Sequence, residues 1–169
     1  MNDVKNARRN RKYRYFHQTN AKGIIKEESV DLHDCRAAEM SLQEGILSFC
    51  FPDGFYVMRN DSEGRKIFYT GEAQVEFPLL CPDEDGITIY VFTKDNDKTI
   101  REEYTAEDFM KLINEKSYSL EFLYSYIGFQ AFKFDGWLWF DDEPYHKECE
   151  FTILAKKALY HWNTMYEEE

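Results

Sequence analysis

Apolar side chains recur at every second position through most of this chain, which is the spacing of a β-strand that buries one face. Val75, Phe77 and Leu79 alternate in this way shortly before a turn. The same alternation returns in the second half of the chain, in Leu120, Phe122, Tyr124 and Tyr126 and again in Cys149, Phe151, Ile153 and Ala155. A chain with this pattern folds around pleated sheets rather than around a helix bundle.

Helical spacing is convincing in one stretch only. Phe109, Leu112 and Ile113 follow the i, i+3, i+4 spacing, and Thr105 stands where an N-cap is expected, with acids in the first turn. The connections are short, and parallel strands would need several crossover helices, so the strands should pair antiparallel. The sequence predicts an α+β fold that is mostly antiparallel β. It has about eight strands in one sheet that curls toward a half-barrel or sandwich, with one central α-helix.

Turn signals divide the predicted strands. Pro52-Asp53-Gly54 ends the apolar run of residues 45–51, after which the strand pattern resumes. Asp135-Gly136 is a favoured pair for a two-residue type I′ turn, and it lies between residues 130–134 and 137–140. We therefore predict a tight β-hairpin centred on Asp135 and Gly136.

Charge divides the chain into two predicted parts. The net charge is −11, yet residues 1–17 carry six basic side chains against Asp3, which gives +5 there and leaves −16 for the remainder. We predict a basic arm over residues 1–22 that orders late or stays flexible, and a single β-rich domain over residues 23–169. The aromatic residues Tyr13, Tyr15 and Phe16 alternate with Arg14 and suit pairing with a sheet edge. The candidate binding residues of the arm are Arg8, Arg9, Arg11, Lys12, Tyr13 and Arg14.

Composition limits the compartment and the class of protein. With 169 residues and 17% aromatic content, the chain can bury a substantial core without a disulfide or a metal. The cysteines Cys35, Cys50, Cys81 and Cys149 include no CxxC pair, and no apolar segment follows the basic N-terminus. No apolar run reaches the about 18 residues of a membrane span. We expect a cytoplasmic protein with reduced, mostly buried thiols, no membrane association and no cofactor.

Two clusters could carry chemistry. His33-Asp34-Cys35 is the most enzyme-like, because a Cys–His pair can form a thiolate nucleophile. On an extended strand, however, His33 and Cys35 share one side and Asp34 lies on the other. This favours a strand-entry segment in which Asp34 accepts backbone hydrogen bonds and Cys35 packs inward. His146 and Cys149 could bind a metal with the acids just upstream, but no second His/Cys pair completes a zinc site. We therefore assign no catalytic residue and no metal ligand.

Two acidic turns and a tryptophan pair are the candidate partner-binding residues. Trp137 and Trp139 lie two apart on a predicted strand and so share a face, with Phe132 or Phe134 expected across the hairpin. That face either packs into the core or, if open, forms an aromatic binding surface that acids surround, which Tyr118, Tyr124, Tyr126 and Tyr160 could enlarge. The candidates are Asp83, Glu84, Asp85, Trp137, Trp139, Asp141, Asp142 and Glu143.

Two stretches carry a resemblance to known proteins. One is Leu32-His33-Asp34-Cys35 followed by residues 45–54, and the other is Leu120-Glu121-Phe122-Leu123 followed by Gly128-Phe129, Gly136, Cys149 and Trp162. Their strand-and-turn pattern resembles that of small uncharacterised bacterial and phage β-sheet proteins, some of them similar to immunity proteins of bacterial toxin systems. The resemblance implies a sheet fold and a binding role, and it brings no catalytic motif.

These observations favour a non-enzymatic, acidic binding protein that inhibits or neutralises a basic protein partner. The partner would be a toxin, a nuclease or another nucleic-acid-binding effector. Immunity proteins and phage anti-CRISPR inhibitors block partners of this kind. An acidic body repels phosphates, so direct nucleic-acid binding is expected only through the N-terminal arm. Two alternatives remain open: a small-molecule-binding, barrel-like protein with or without catalysis, and a structural or assembly component.

Overall fold

The computed structural model of the protein describes residues 14–19 and 28–167. In these residues fifteen strands form three sheets around one α-helix, and every strand pair is antiparallel. The predicted α+β class with mostly antiparallel pairing is confirmed. The predicted count of about eight strands and the prediction of a single curling sheet are wrong. The count is too low because several strands are short or are exposed on both sides. Such strands are held by pairing rather than by a buried face, so they lack the alternation that would mark them.

The order of strands across each sheet differs from their order along the chain. Sheet I has five strands: β1 (Arg14–Thr19), β14 (Lys157–Trp162), β8 (Ala73–Pro78), β5 (Ile46–Phe51) and β4 (Glu39–Gln43). Sheet II has six: β10 (Lys98–Tyr104), β9 (Ile87–Asp95), β13 (His146–Ile153), β12 (Ala131–Trp139), β11 (Ser119–Gly128) and β3 (Cys35–Ala37). Sheet III has four: β15 (Met165–Glu167), β7 (Gly64–Thr70), β6 (Tyr56–Asp61) and β2 (Glu28–Asp31).

Sheets I and II face each other across an aromatic core. Phe49 of β5 meets Phe122 of β11 at 5.4 Å and Phe151 of β13 at 6.2 Å, both edge to face. Phe77 of β8 contacts Phe132 of β12 in the same way at 5.1 Å. Edge-to-face pairs add about 0.5–1.5 kcal/mol each beyond the burial of their area. The alternating phenylalanines of the sequence therefore form the interlocking inner faces of two packed sheets.

The helix α1 (Ala106–Glu115) forms as predicted. The Thr105 hydroxyl accepts a hydrogen bond from the Asp108 N–H at 3.1 Å, and this N-cap supplies one of the acceptors that the first turn lacks. The apolar side of α1 is buried, and Phe109 lies edge-on to Phe151 at 5.0 Å. The helix therefore packs against the core at the inner face of sheet II.

The predicted hairpin at Asp135 and Gly136 is wrong, because both residues lie inside the continuous strand β12. Gly136 pairs with Phe122 on one side and with Cys149 on the other. A Cβ atom at Gly136 would lie only 2.3 Å from the carbonyl oxygen of Glu121. The strand β11 bulges at this place, between Phe122 and Tyr124. Glycine is required here for a close backbone approach rather than for a turn.

Part of the predicted arm lies outside the described residues, namely residues 1–13 and 20–22, and with them Arg8, Arg9, Arg11, Lys12 and Tyr13. Residues 14–19 form β1, which pairs antiparallel with β14 at an edge of sheet I, so the edge pairing expected of Tyr15 and Phe16 is present. The division into an arm and a domain that begins at residue 23 stays a prediction.

Candidate functional site

The outer face of sheet II, which points away from the core, is the most unusual surface among the described residues. Directly opposed residues of antiparallel strands share a face, so the register defines rows that cross the sheet. One row consists of Arg101, Phe92, Glu148, Trp137, Glu121 and Arg36. The next consists of Glu103, Tyr90, Glu150, Asp135 and Tyr124. A third contains Thr88, Thr152, Lys133 and Tyr126.

This outer face carries aromatic side chains where the solvent-facing side of an antiparallel sheet is ordinarily polar. Tyr124 and Tyr126 are exposed, at 58% and 54% of their full area. Trp137, Trp139, Tyr90 and Phe92 are half-buried. Aromatic residues that lie together on an accessible surface are typical of protein-binding sites. The outer face is therefore the strongest candidate for a binding surface.

Trp137 and Trp139 belong to a tightly packed group on this face. The ring of His146 lies 4.5 Å from that of Trp137 and 4.7 Å from that of Trp139. The Arg36 guanidinium stacks over Trp139 at 4.3 Å and forms an ion pair with Glu121 at 3.1 Å. The indole N–H of Trp139 is shielded from solvent and has no acceptor among the described residues. These contacts hold both indoles in fixed positions before any partner binds.

The pair of tryptophans thus lies on the open face and not in the core. The expectation that Phe132 or Phe134 accompanies them is wrong, because both phenylalanines point to the inner face and are buried. Tyr124 and Tyr126 enlarge the outer face as predicted. Tyr160, however, is buried. Tyr118 instead contacts Phe140 at 5.3 Å.

The cations of the outer face are already engaged within the protein. Lys133 forms an ion pair with Glu150 at 3.0 Å, and this hydrogen bond raises the pKa of the lysine. The Arg101 guanidinium lies over the ring of Tyr90 at 4.5 Å. By contrast, Glu148 is exposed and has no cationic partner in the part of the chain that the structure describes. The charged groups of this face that remain available to a partner are therefore mainly carboxylates.

The two acidic turns lie at opposite ends of sheet II. The turn of residues 83–85 joins β9 at Gly86, whose carbonyl accepts from the Leu154 N–H at 2.8 Å. The turn of residues 141–143 joins β12 to β13, beside Trp139 and His146. The length of β13 separates them, about 25 Å at the rise of a strand. The structure therefore brings the tryptophans together with the second turn but not with the first.

The carboxylates of both turns are available to a partner. Asp83, Asp85, Asp141, Asp142 and Glu143 are exposed, and none of them forms an ion pair with another described residue. The side chain of Glu84 lies outside the described set. Exposed acids without an internal partner accelerate association with a basic surface.

The sequence interpretation missed Arg36, Tyr90, Phe92 and His146 as members of this surface. Each belongs to a strand whose alternation is visible, so its face could have been inferred once the strand was recognised. Which strands are neighbours, however, depends on the order and register of sheet II, and neither follows from a single sequence.

The His33-Asp34-Cys35 cluster is not arranged for nucleophilic catalysis. The chain does not run extended through it, because Asp34 has a positive φ of 60° and His33 is exposed while Cys35 is buried. Burial raises the pKa of the Cys35 thiol to about 12, so almost no thiolate forms near neutral pH. The inward packing expected of Cys35 is present, whereas the expected shared side of His33 and Cys35 is wrong. The backbone N–H of His33 donates to the Asp31 carboxylate at 2.9 Å rather than to Asp34.

His33 itself holds the edge of sheet II. Its Nδ1 forms a hydrogen bond with the Leu123 carbonyl, which raises the pKa of the imidazole. Its Nε2 lies 3.5 Å from Asp34 Oδ1, and its ring is 5.7 Å from that of Tyr124. A shallow groove of about 300 Å³ begins beside it and includes Asp31, Asp34 and Arg65 in its lining.

His146 and Cys149 do not converge on a metal. His146 contacts the tryptophans of the outer face, whereas Cys149 is buried on the inner face, and burial raises the pKa of its thiol. No group of three or more potential metal ligands occurs among the described residues.

The burial of the thiols has a direct chemical consequence. Cys35 and Cys149 are buried, Cys50 is half-buried and Cys81 is exposed, and none of the four forms a disulfide bond with another. We expect a thiol-specific reagent to modify Cys81 first under native conditions and to reach Cys35 and Cys149 only after unfolding. Mass spectrometry of the partly labelled protein checks the order, and Cys81→Ser should remove the fast phase. Fast labelling of Cys35 in the folded protein would contradict this placement.

The chain matches no protein-family model, no curated protein and no solved structure. The resemblance to small bacterial and phage sheet proteins therefore stays a prediction. In the described residues no helix is both long enough and apolar enough to cross a membrane.

Proposed function

We propose that this is a non-enzymatic protein that binds, and thereby inhibits or neutralises, a basic protein partner. The observation that carries the proposal is the outer face of sheet II, on which half-buried aromatic rings lie in ordered rows on a solvent-facing sheet surface. Such rings supply the desolvated centre of a protein interface, and a polar or charged rim surrounds it.

Charge supports a basic partner over a neutral one. The chain has a net charge of −11, and Glu148 and the turn of residues 141–143 leave uncompensated carboxylates on and beside the outer face. The neighbouring Arg36 and Lys133 are neutralised by Glu121 and Glu150. A basic surface would be steered toward this end of sheet II, and its arginines could stack on the exposed aromatic rings.

An immunity-like or anti-CRISPR-like role belongs to this proposal, because a partner that binds nucleic acid must present a basic surface. Covering that surface with an acidic, aromatic face would exclude the nucleic acid by direct competition. The small-molecule alternative is supported, among the described residues, by the groove beside His33, which is shallow and lined by both acidic and basic side chains. The outer face is the larger and more specific feature.

We expect the immobilised protein to retain a basic protein from a lysate of its source organism at low salt and to release it at high salt. The double substitution Asp141→Lys with Asp142→Lys should weaken this binding by at least about tenfold, because it places cations beside the tryptophans. The association rate should fall more than the dissociation rate rises, and surface plasmon resonance with the captured protein measures both.

The matched control is Asp83→Lys with Asp85→Lys, which changes the net charge by the same amount at the opposite end of sheet II. It should weaken binding much less. Equal loss in both variants would indicate attraction by net charge alone, and capture of no basic protein by the unmodified chain would count against the proposal as a whole.

A further inference from the structure

One edge of sheet II has a long stretch of strand without a neighbour among the described residues. The short strand β3 pairs only with Leu120, Glu121 and Phe122 of β11. Beyond them, β11 continues to Gly128 and pairs with β12 on one side, while no described strand pairs with its other side. We call residues 124–127 of β11 the open edge.

The backbone of the open edge has groups available for hydrogen bonding. The Phe122 carbonyl points toward β3, since it accepts from the Asp34 N–H at 2.8 Å. In an antiparallel pair, successive residues direct their N–H and C=O groups to alternate sides. The bulge at Leu123 shifts this alternation by one residue. Beyond it, the register of β11 on β12 directs the N–H and C=O groups of Ser125 and Ile127 away from β12. These are donors and acceptors of the kind that an added strand can use.

Proteins ordinarily protect such edges with charge, short strands or a covering group. At the edge of β4, the Asn114 side chain accepts from the Met40 N–H at 3.1 Å and donates to the Met40 carbonyl at 2.7 Å, which occupies both groups. The edge strand β10 carries Lys98, Arg101, Glu102 and Glu103. The strands β2, β3 and β15 have only three or four residues each.

Among the described residues, the open edge has none of these protections. No charged residue occurs from residue 122 to residue 132. Instead the segment exposes apolar side chains, with Tyr124 at 58%, Tyr126 at 54% and Ile127 at 47%, and Phe129 at the hairpin tip is 90% exposed. An uncharged, aromatic, unpaired edge invites pairing with another strand.

We propose that the open edge of β11 binds an extended segment of the basic partner as an added β-strand of sheet II. This inference rests on the proposed function and specifies how the partner attaches. The added strand would continue the rows of the outer face, with alternate side chains placed beside Tyr124 and Tyr126. Its backbone would bond with Ser125 and Ile127, which supplies affinity, and its side chains would supply specificity.

Charge selects a basic segment over a second copy of this chain. Two copies would each bring a net charge of −11 to the contact. Beside the open edge lies Asp34, whose side chain is 63% exposed, and Asp31 follows in the lining of the groove. Arg65 and His33 also line the groove, so the acids there are partly balanced, and His33 forms a hydrogen bond with the Leu123 carbonyl immediately before the open edge. A lysine or arginine near the end of the added strand would meet Asp34 first.

The test is a selection of random displayed peptides on the unmodified protein, followed by affinity measurements on two variants. Ser125→Pro removes an outward N–H and blocks the edge, yet leaves the pairing with β12 intact, because proline is tolerated at an edge position whose N–H faces solvent. Ser125→Ala keeps the N–H and is the matched control. We expect enriched peptides that alternate apolar and basic residues, and binding at least about tenfold weaker to Ser125→Pro than to Ser125→Ala.

A second measurement leaves the protein unchanged, so it does not depend on whether Ser125→Pro folds. An enriched peptide is methylated on alternate backbone amides in two complementary patterns. One pattern should abolish binding and the other should not, because only one edge of an added strand faces β11. Equal affinity of the two methylated peptides, or no enrichment of strand-forming basic peptides, overturns the proposal.

Two further outcomes separate this inference from the proposed function. If the captured basic protein binds Ser125→Pro as tightly as the unmodified chain but loses affinity for Asp141→Lys with Asp142→Lys, the function stands and strand addition is overturned. If sedimentation shows a dimer that Ser125→Pro abolishes, the edge takes a second copy and the proposal of a basic segment is overturned.

Discussion

Replacing Phe49 with alanine is expected to destabilise the protein by about 3–5 kcal/mol, the range for truncating a large aromatic in a packed core. Phe49 is buried and lies edge-on to Phe77, Phe122 and Phe151, so its ring joins the inner faces of sheets I and II. Sheets of this kind relax little around a cavity, because their backbones are tied by ladders on both sides. Chemical denaturation measures the loss, and the melting temperature should fall by about 10 °C.

The matched control is Phe129→Ala, the same substitution at a ring that is 90% exposed. Its stability change should stay within about 0.5 kcal/mol, as for ordinary surface substitutions. If the two variants lose similar stability, Phe49 does not occupy the centre of the core. A loss confined to Phe49→Ala would agree with the position of its ring between sheets I and II.

The sequence was sufficient for elements whose signal is local. The helix α1 was predicted with its N-cap, because Thr105 and the spacing of Phe109, Leu112 and Ile113 lie within a few turns of one another. The strands β5 and β8 were predicted because one of their faces is buried and the other is not. The strand β10 was missed because it is exposed from Lys98 to Glu103, so no alternation marks it. Its conformation follows from pairing with β9.

The candidate site was predicted only in part, because only some of its features leave a local signal in the sequence. Alternation placed Trp137 and Trp139 on one face, and the structure confirms that they share it. Which face is open depends on where sheet I lies, and that is a property of the assembled fold. The acidic turn at residues 83–85 appeared equivalent to the one at residues 141–143, because no local signal records that β13 separates them. Edge protection by Asn114 and the open edge of β11 both depend on strand order.

Substituting Gly136 with alanine is expected to destabilise the protein by about 3 kcal/mol, at the upper end for overpacking. The added Cβ would lie 2.3 Å from the Glu121 carbonyl oxygen, a backbone atom that no rotamer change can move. The strand β11 must therefore shift away from β12 beside the bulge that positions Leu123 against His33. We expect the imidazole resonances of His33 to change in NMR spectra, together with a lower midpoint of chemical denaturation.

Gly128→Ala is the matched control within the same two strands, because the nearest atom to its added Cβ is the Ala131 carbonyl oxygen at 3.9 Å, an ordinary contact. It should be neutral or stabilise the protein by a few tenths of a kcal/mol, since alanine restricts the unfolded chain more than glycine does. The comparison decides between two roles for glycine in this hairpin. If Gly136→Ala proves as harmless as Gly128→Ala, the close approach of β12 to Glu121 is not required and the bulge would need another cause. If only Gly136→Ala lowers the free energy of unfolding, and the His33 resonance shifts as well, then Gly136 is required for the backbone geometry beside the open edge.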